Sequence, residues 1–308
     1  IQIPMKKTFL IAALLGTSAI AFGALSTDAA ARPMTETDLV MMKRLSAVAA
    51  SPDGMMVAYQ LRETDLEANK GKTDLYMLKL GATGAQPAMF ASRPDKNEHD
   101  PAFAPDGKSI FYISNESGSD QIWRYDIASA TTTQASNFKT DVSGFKISPD
   151  GLKFAIWGDI ARDCMEFGCA KDGDTSKPGP GTGREYDQLM TRHWDQWETP
   201  GNYSRVFTAV LRADGKLGTL STAMDGDLVG DAPSKPFGGG DEISWSADSS
   251  AVLFALRHAD ANEAKSTNLD IYRSSLQNPT PVNLSADNAG MDTTPSASPD
   301  GKWLAWTS

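Results

Sequence analysis

Ser51-Pro52-Asp53-Gly54 returns as Ala104-Pro105-Asp106-Gly107, Ser148-Pro149-Asp150-Gly151 and Ser298-Pro299-Asp300-Gly301, with a degenerate copy at Ser246-Ala247-Asp248-Ser249. Proline at the second position pre-sets φ and glycine at the fourth supplies a permissive backbone, so each copy reads as a tight turn. The aspartates read as side chains that fix these turns, not as metal ligands. Each turn is followed by an apolar alternating run, at 56–59, 109–113, 153–157, 251–255 and 303–306. A second phrase then follows, at 74–78, 121–125, 205–209 and 270–273. It alternates with period two and carries aromatic and β-branched residues, which marks a third strand. Short closing strands are expected at 87–91, 131–134 and 281–284.

The turn prolines are spaced by 53 and 44 residues, then by 98 and 52 through Ala247. A four-stranded antiparallel sheet repeated at this period is the mark of a β-propeller, whose neighbouring sheets bury each other's faces. The expected fold is therefore all-β: an incomplete β-propeller of about four and a half blades within residues 45–308. The blades fall at 45–92, 98–137, 141–224 and 241–285, and a fifth opens at Asp292 and runs through its second strand. A short helical lead-in over 32–44 precedes them, with a helix at 37–44 capped by Thr35 or Thr37.

Composition sets the outer limits. The 308 residues carry 29 Lys+Arg against 39 Asp+Glu, a net charge of -10, with 40% apolar residues. Those figures exclude bulk disorder and multi-span membrane classes. The acidic balance argues against a nucleic-acid partner, which calls for a basic face. Two cysteines exclude a disulfide-dense scaffold or a multi-Cys cluster, and three histidines leave little room for His-based metal chemistry. No cofactor and no metal are expected. The run 179–183 lacks the Lys-Ser/Thr of a phosphate loop. No Gly-x-Ser-x-Gly occurs, so no hydrolase nucleophile elbow is visible.

The segment 5–31 has the order of a secretory signal peptide. It opens at Met5, continues with Lys6 and Lys7, runs through an apolar stretch over 9–24 and ends on the small residues before Arg32, at Ala31. The apolar stretch is shorter than the ~20 residues of a membrane-spanning helix, so no stable membrane anchor is expected. The mature protein is expected to be periplasmic or secreted.

Between the turn and the third-strand aromatic the distances are 24, 18 and 25 residues in three blades, but 58 in blade three, from Pro149 to Phe207. An insertion of about 35 residues, spanning about 160–203, therefore leaves that blade, and long loops on a rigid scaffold are where binding residues collect. It holds Cys164 and Cys169, for which a local disulfide suits an oxidising compartment. It also holds Arg192-His193-Trp194-Asp195-Gln196-Trp197. One reading of this cluster is a packed hairpin with Trp194 and Trp197 on the surface and Arg192 paired to Asp195. The other is a substrate- or partner-facing patch of Arg192, His193, Trp194, Asp195 and Trp197, in which Arg suits carboxylate or carbonyl recognition and Trp supplies an apolar platform. Glu166, Glu185 and Glu198 stand singly along the insertion, and His99 and His258 read as surface or loop residues.

Several segments give the chain a family likeness over roughly residues 33–308. They are 45–54, Tyr186-Asp187-Gln188-Leu189 leading into Arg192–Trp197, Pro233-Ser-Lys-Pro-Phe-Gly-Gly239, 266–272 and 292–306. On these it resembles the propeller half of exported prolyl oligopeptidase family serine peptidases, of bacterial dipeptidyl-peptidase or acylaminoacyl-peptidase type. The resemblance implies a separate C-terminal α/β-hydrolase domain as the propeller's own partner. It also implies a Ser-Asp-His triad there, and peptide substrates that the propeller gates and positions. No catalytic residue falls in this chain, which by itself is expected to be inactive. The resemblance leaves oligomeric state and peptide-bond specificity open. A second reading is a non-enzymatic periplasmic β-propeller that binds protein partners.

Overall fold

Every copy of the repeated turn closes through a backbone hydrogen bond from its fourth residue to its first, between 2.8 and 2.9 Å, as from Gly54 N to Ser51 O and from Gly151 N to Ser148 O. The computed structural model describes residues 32–308 apart from 82, 169–184, 187–188 and 195. The expected export signal over 5–31 lies outside the described residues, as do Cys169, Asp187, Gln188 and Asp195. The turn glycines sit at φ near +70°, and in the degenerate copy Ser249 takes the same left-handed conformation at +58°. The aspartates do fix the turns: Asp53, Asp106, Asp150, Asp248 and Asp300 each accept the backbone N–H two residues on.

The helix α1 (Glu36–Met41) starts one residue before and ends three residues before the span the sequence suggests. Thr35 caps it, accepting from Asp38 N while Asp38 accepts from Thr35 N, a reciprocal arrangement. Arg44 is not helical but opens the first strand.

Four antiparallel sheets follow in chain order. The first is β1 (Arg44–Ala50), β2 (Met56–Asp65), β3 (Lys70–Lys79) and β4 (Ala88–Ala91). The second is β5 (Glu98–Phe103), β6 (Ser109–Ser114), β7 (Gln121–Asp126) and β8 (Thr131–Gln134). The third joins β9 (Gly144–Ile147) and β10 (Lys153–Ala161) to β13 (Asn202–Leu211) and β14 (Leu217–Ala223), with the hairpin β11 (Arg192–His193) and β12 (Gln196–Trp197) standing apart. The fourth contains β16 (Ile243–Trp245), β17 (Ala251–His258), β18 (Asp270–Ser275) and β19 (Val282–Asn283), to which β15 (Gly230–Asp231) adds along β17. A two-stranded sheet, β20 (Thr293–Ala297) and β21 (Leu304–Thr307), follows the last turn. His99 and His258 lie on β5 and β17 and are half-buried, not in loops; His258 Nε2 lies 2.7 Å from the Tyr272 hydroxyl.

The period of two sends alternate side chains into different cores. On β6, Ile110 and Tyr112 pack with Leu75 of the first sheet, while Phe111 and Ile113 pack with Phe154 of the third. On β10, Phe154 and Ile156 face the second sheet, while Ala155 and Trp157 face Ile243, Trp245 and Phe254 of the fourth. Each inner sheet is thus apolar on both faces, and stacking with its neighbours supplies the burial that drives the fold. The turns stack too: a Cβ at Gly151 would stand 3.5 Å from Pro105 Cδ of the preceding turn.

Candidate functional site

β10 and β13 pair without a break from Lys153↔Val210 to Ala161↔Asn202, so the insertion leaves and re-enters at the far end of one long hairpin. Its base is clipped to the sheet by Arg205, which is fully buried on β13. Arg205 Nη1 donates to the carbonyls of Ala161, Arg162 and Cys164 at 3.0, 3.2 and 2.6 Å. Its other edge donates to both oxygens of buried Asp225. Phe207 lies under the guanidinium, 5.0 Å away. Cys164 is buried and disulfide-bonded. Its expected partner, Cys169, lies outside the described residues.

The return segment forms the β11–β12 hairpin, in which Arg192 pairs with Trp197 and His193 with Gln196. Trp194 occupies the turn at φ +52°, the left-handed backbone a two-residue hairpin turn requires. The outward side carries Trp194, 73% exposed, whose ring meets Phe237 edge-on at 5.8 Å. It also carries Arg192, whose guanidinium lies 5.3 Å over the exposed Trp197 ring, and Tyr186 beyond that ring. The anticipated Arg192–Asp195 pair falls on a residue outside the described ones, and the visible partner of Arg192 is Trp197. His193 departs from the patch and points inward, buried.

What His193 meets was not legible in the sequence. Its Nε2 lies 3.3 Å from Glu198 Oε1, and Glu198 Oε2 lies 3.1 Å from Lys235 Nζ. Lys235 also pairs with Asp159 at 3.2 Å and Asp231 at 3.4 Å. Behind them stands Glu263, with Arg257 Nε at 4.0 Å. Ser204 N donates to Asp231 Oδ1 at 2.7 Å, which holds β15 against β13. The insertion hairpin, the end of β10, β15 and the loop after β17 thus meet in one ionic cluster, buried or half-buried apart from exposed Asp159. A cavity of about 290 Å³ opens beside it, lined by Asp159, His193, Glu198 and Lys235 with Trp194, Trp197 and Phe237 on its rim. A second cavity, of about 650 Å³, lies along β1, β5 and β9 and reaches Trp157 and Lys235.

Burial dominates the electrostatics. It pushes the Glu263 carboxyl up to about 7, with Asp231 adding to it and Arg257 opposing. Burial likewise pushes Asp231 up to about 6, although Lys235 and the Ser204 N–H pull the other way. For Lys235 burial disfavours the charge, but Asp231, Asp159 and Glu198 outweigh it and hold the ammonium above its usual value. Burial lowers His193 below its ordinary value, with Glu198 opposing and the nearby Arg257 and Lys235 adding to the burial effect. The arrangement offers an aromatic rim over a charged floor, suited to a small polar ligand with an apolar part.

Of the sequence-derived residues, Trp194 and Trp197 come to this rim, Arg192 lies over the Trp197 ring, and Glu198 joins the floor, while Glu166 and Glu185 are exposed. The cluster residues Asp159, Asp231, Lys235, Arg257 and Glu263 carry no local sequence signature, because they lie in three segments up to about a hundred residues apart. The one available signal was Lys235 inside the Pro233–Gly239 segment. No metal set was expected from spacing, yet the fold brings His193, Asp231 and Glu263 to within 4.8 Å of one another by their ligand atoms.

The stacked sheets and the blade insertion define the class: a repeat-built β-propeller portion of the kind found in prolyl oligopeptidase-type peptidases. More particularly, the chain is homologous to part of dipeptidyl-peptidase 5. It is 31% identical over 307 residues to dipeptidyl-peptidase 5 of Porphyromonas gingivalis, covering 98% of this chain and 43% of that protein. It is 29% identical over 281 residues to that of Porphyromonas endodontalis, covering 89% of this chain and 38% of that protein. Among solved structures, acylaminoacyl peptidase of Pyrococcus horikoshii superposes with a TM-score of 0.53 at 14% identity, over 80% of this chain and 33% of that one, a likeness of fold. No family model matches the chain. The chain spans about two fifths of the length of the curated relatives it matches. Nothing in these comparisons favours the non-enzymatic reading.

Proposed function

We propose that the chain is the propeller portion of an exported serine peptidase that removes short units from peptides, in the manner of the dipeptidyl-peptidase 5 relatives. The observation that carries this is the 31% identity running through 98% of the chain, insertion included. In this reading the catalytic Ser-Asp-His set belongs to an α/β-hydrolase domain outside residues 1–308, with which the propeller packs. The propeller contributes access control and contacts to the substrate. In this reading Arg192, Trp194 and Trp197 face the substrate: Trp194 and Trp197 line the cavity that Glu198 and Lys235 floor, and Arg192 lies over the Trp197 ring. Export rests on the 5–31 segment, and the disulfide at Cys164 fits an oxidising compartment.

The test is an assay of the protein together with the remainder of its reading frame against chromogenic dipeptidyl and N-acylaminoacyl substrates, with a serine-directed inhibitor as control. Inhibitor-sensitive release is expected from the longer protein and none from the 308-residue chain. A longer protein without turnover on either class, or turnover by the short chain alone, overturns the reading.

A further inference from the structure

We propose that His193, Asp231 and Glu263 form a binding site for a divalent transition-metal ion, tying the insertion hairpin to the fourth sheet. The three side chains come from three separate elements, β11, β15 and the 3₁₀ turn Glu263–Lys265, and all are more than nine-tenths buried. One imidazole and two carboxylates are the donor set of many three-ligand zinc and manganese sites, with water completing the shell.

A second observation points the same way. The Glu263 carboxylate, 6% exposed, has Arg257 as its ion-pair partner, but Nε stands 4.0 Å away, beyond hydrogen-bond reach. That Arg257 N–H is itself buried without an acceptor. The pair is thus long and not closed by an Nε–H bond, which leaves room for a further ligand on the carboxylate. Asp231 engages Ser204 N–H and Lys235 through Oδ1, which leaves Oδ2 for a ligand. Glu198 Oε1, 3.3 Å from His193 Nε2, stands beside the ring as a fourth ligand or as the carboxylate that orients it. The ligand atoms lie within 4.8 Å of one another, whereas tetrahedral bonds near 2.0 Å need edges of about 3.3 Å, so binding draws the cluster inward. Entry is through the 290 Å³ cavity that His193 lines.

The site is independent of whether the chain serves a peptidase. The test is titration of the metal-free 308-residue protein with Zn²⁺ by calorimetry, and with Co²⁺ by absorbance. One ion per chain is expected, with a visible Co²⁺ spectrum and a Zn²⁺ affinity reduced at least about tenfold in His193→Gln and in Glu263→Gln. Circular dichroism establishes that each variant is folded, and His258→Gln, whose ring lies outside the trio, should bind Zn²⁺ as the parent does. No saturable binding up to about 1 mM Zn²⁺, a free energy near 4 kcal/mol, overturns the proposal. So does binding that survives both His193→Gln and Glu263→Gln unchanged.

Discussion

Arg205 and Asp225 meet edge to edge in the interior, with Nε 2.6 Å from Oδ2 and Nη2 2.8 Å from Oδ1, at 0% and 2% side-chain exposure. Two nitrogens of the guanidinium hold the carboxylate, and the third ties down the carbonyls of Ala161, Arg162 and Cys164, where the insertion leaves the sheet. The pair is thus a fixed hinge post for the segment that carries the candidate site.

Removing one partner strands the other as an unpaired buried charge. Arg205→Ala and Asp225→Ala are each expected to lower stability by about 3–5 kcal/mol, read as a shift in the urea midpoint. Arg205→Lys should recover little, since an ammonium cannot reproduce the planar fork that engages carboxylate and carbonyls together. Faster proteolytic cleavage within 162–201 should accompany the loss. An Arg205→Lys protein as stable as the parent would contradict this account.

Metal-free protein should lose stability as pH rises from about 4.5 to about 7. Glu263 is raised from its ordinary 4.5 to about 7 by burial, with Asp231, Glu198 and Asp260 adding and Arg257 opposing. Between those two values the folded state binds more protons than the unfolded one, so the slope of stability against pH is negative there. The contribution is full below the unfolded value and amounts to at most about 3 kcal/mol. Glu263→Gln should flatten that segment of the profile; a profile unchanged by the substitution would refute the assignment.

On the outer side, Arg192→Ala and Trp194→Ala test the proposed substrate contact. In the proposed full-length peptidase, each should raise KM roughly tenfold with kcat little altered, about 1.4 kcal/mol of uniform binding. Unchanged kinetics with an unchanged melting curve would leave the cluster as a packed hairpin only.

The repeated turns offer a graded comparison. Gly151 sits at φ +73° with Pro105 close to where a Cβ would fall, whereas Gly54 sits at +68° with open space around it. Alanine at either position meets the left-handed penalty of about 1–2 kcal/mol. Gly151→Ala should cost no more than Gly54→Ala, because a Cβ 3.5 Å from Pro105 Cδ is in ordinary van der Waals contact, and paired melting curves would show it.

The sheet order was legible because local chemistry and fold agree. A Pro-Asp-Gly turn can be only a turn, and a run such as 110–113, apolar at every position, is stable only between two neighbouring sheets. Of the two cap candidates Thr35 serves, through its reciprocal pair with Asp38, and the helix stops at Met41 short of Arg44 because residues from Arg44 on pair with β2. The aromatic rim was legible as an anomaly of spacing, since only the third blade delays its third strand.

By itself, then, the sequence determined the repeat, the register of inward and outward side chains, and the position of the insertion, all properties of residues a few places apart. Only the tertiary structure decided what the insertion returns to. His193, Glu198, Asp231, Lys235 and Glu263 are brought together by the stacking of the third sheet on the fourth. Charges so far apart in the chain leave no periodic trace, and their meeting depends on where the packed aromatic cores set the two sheets.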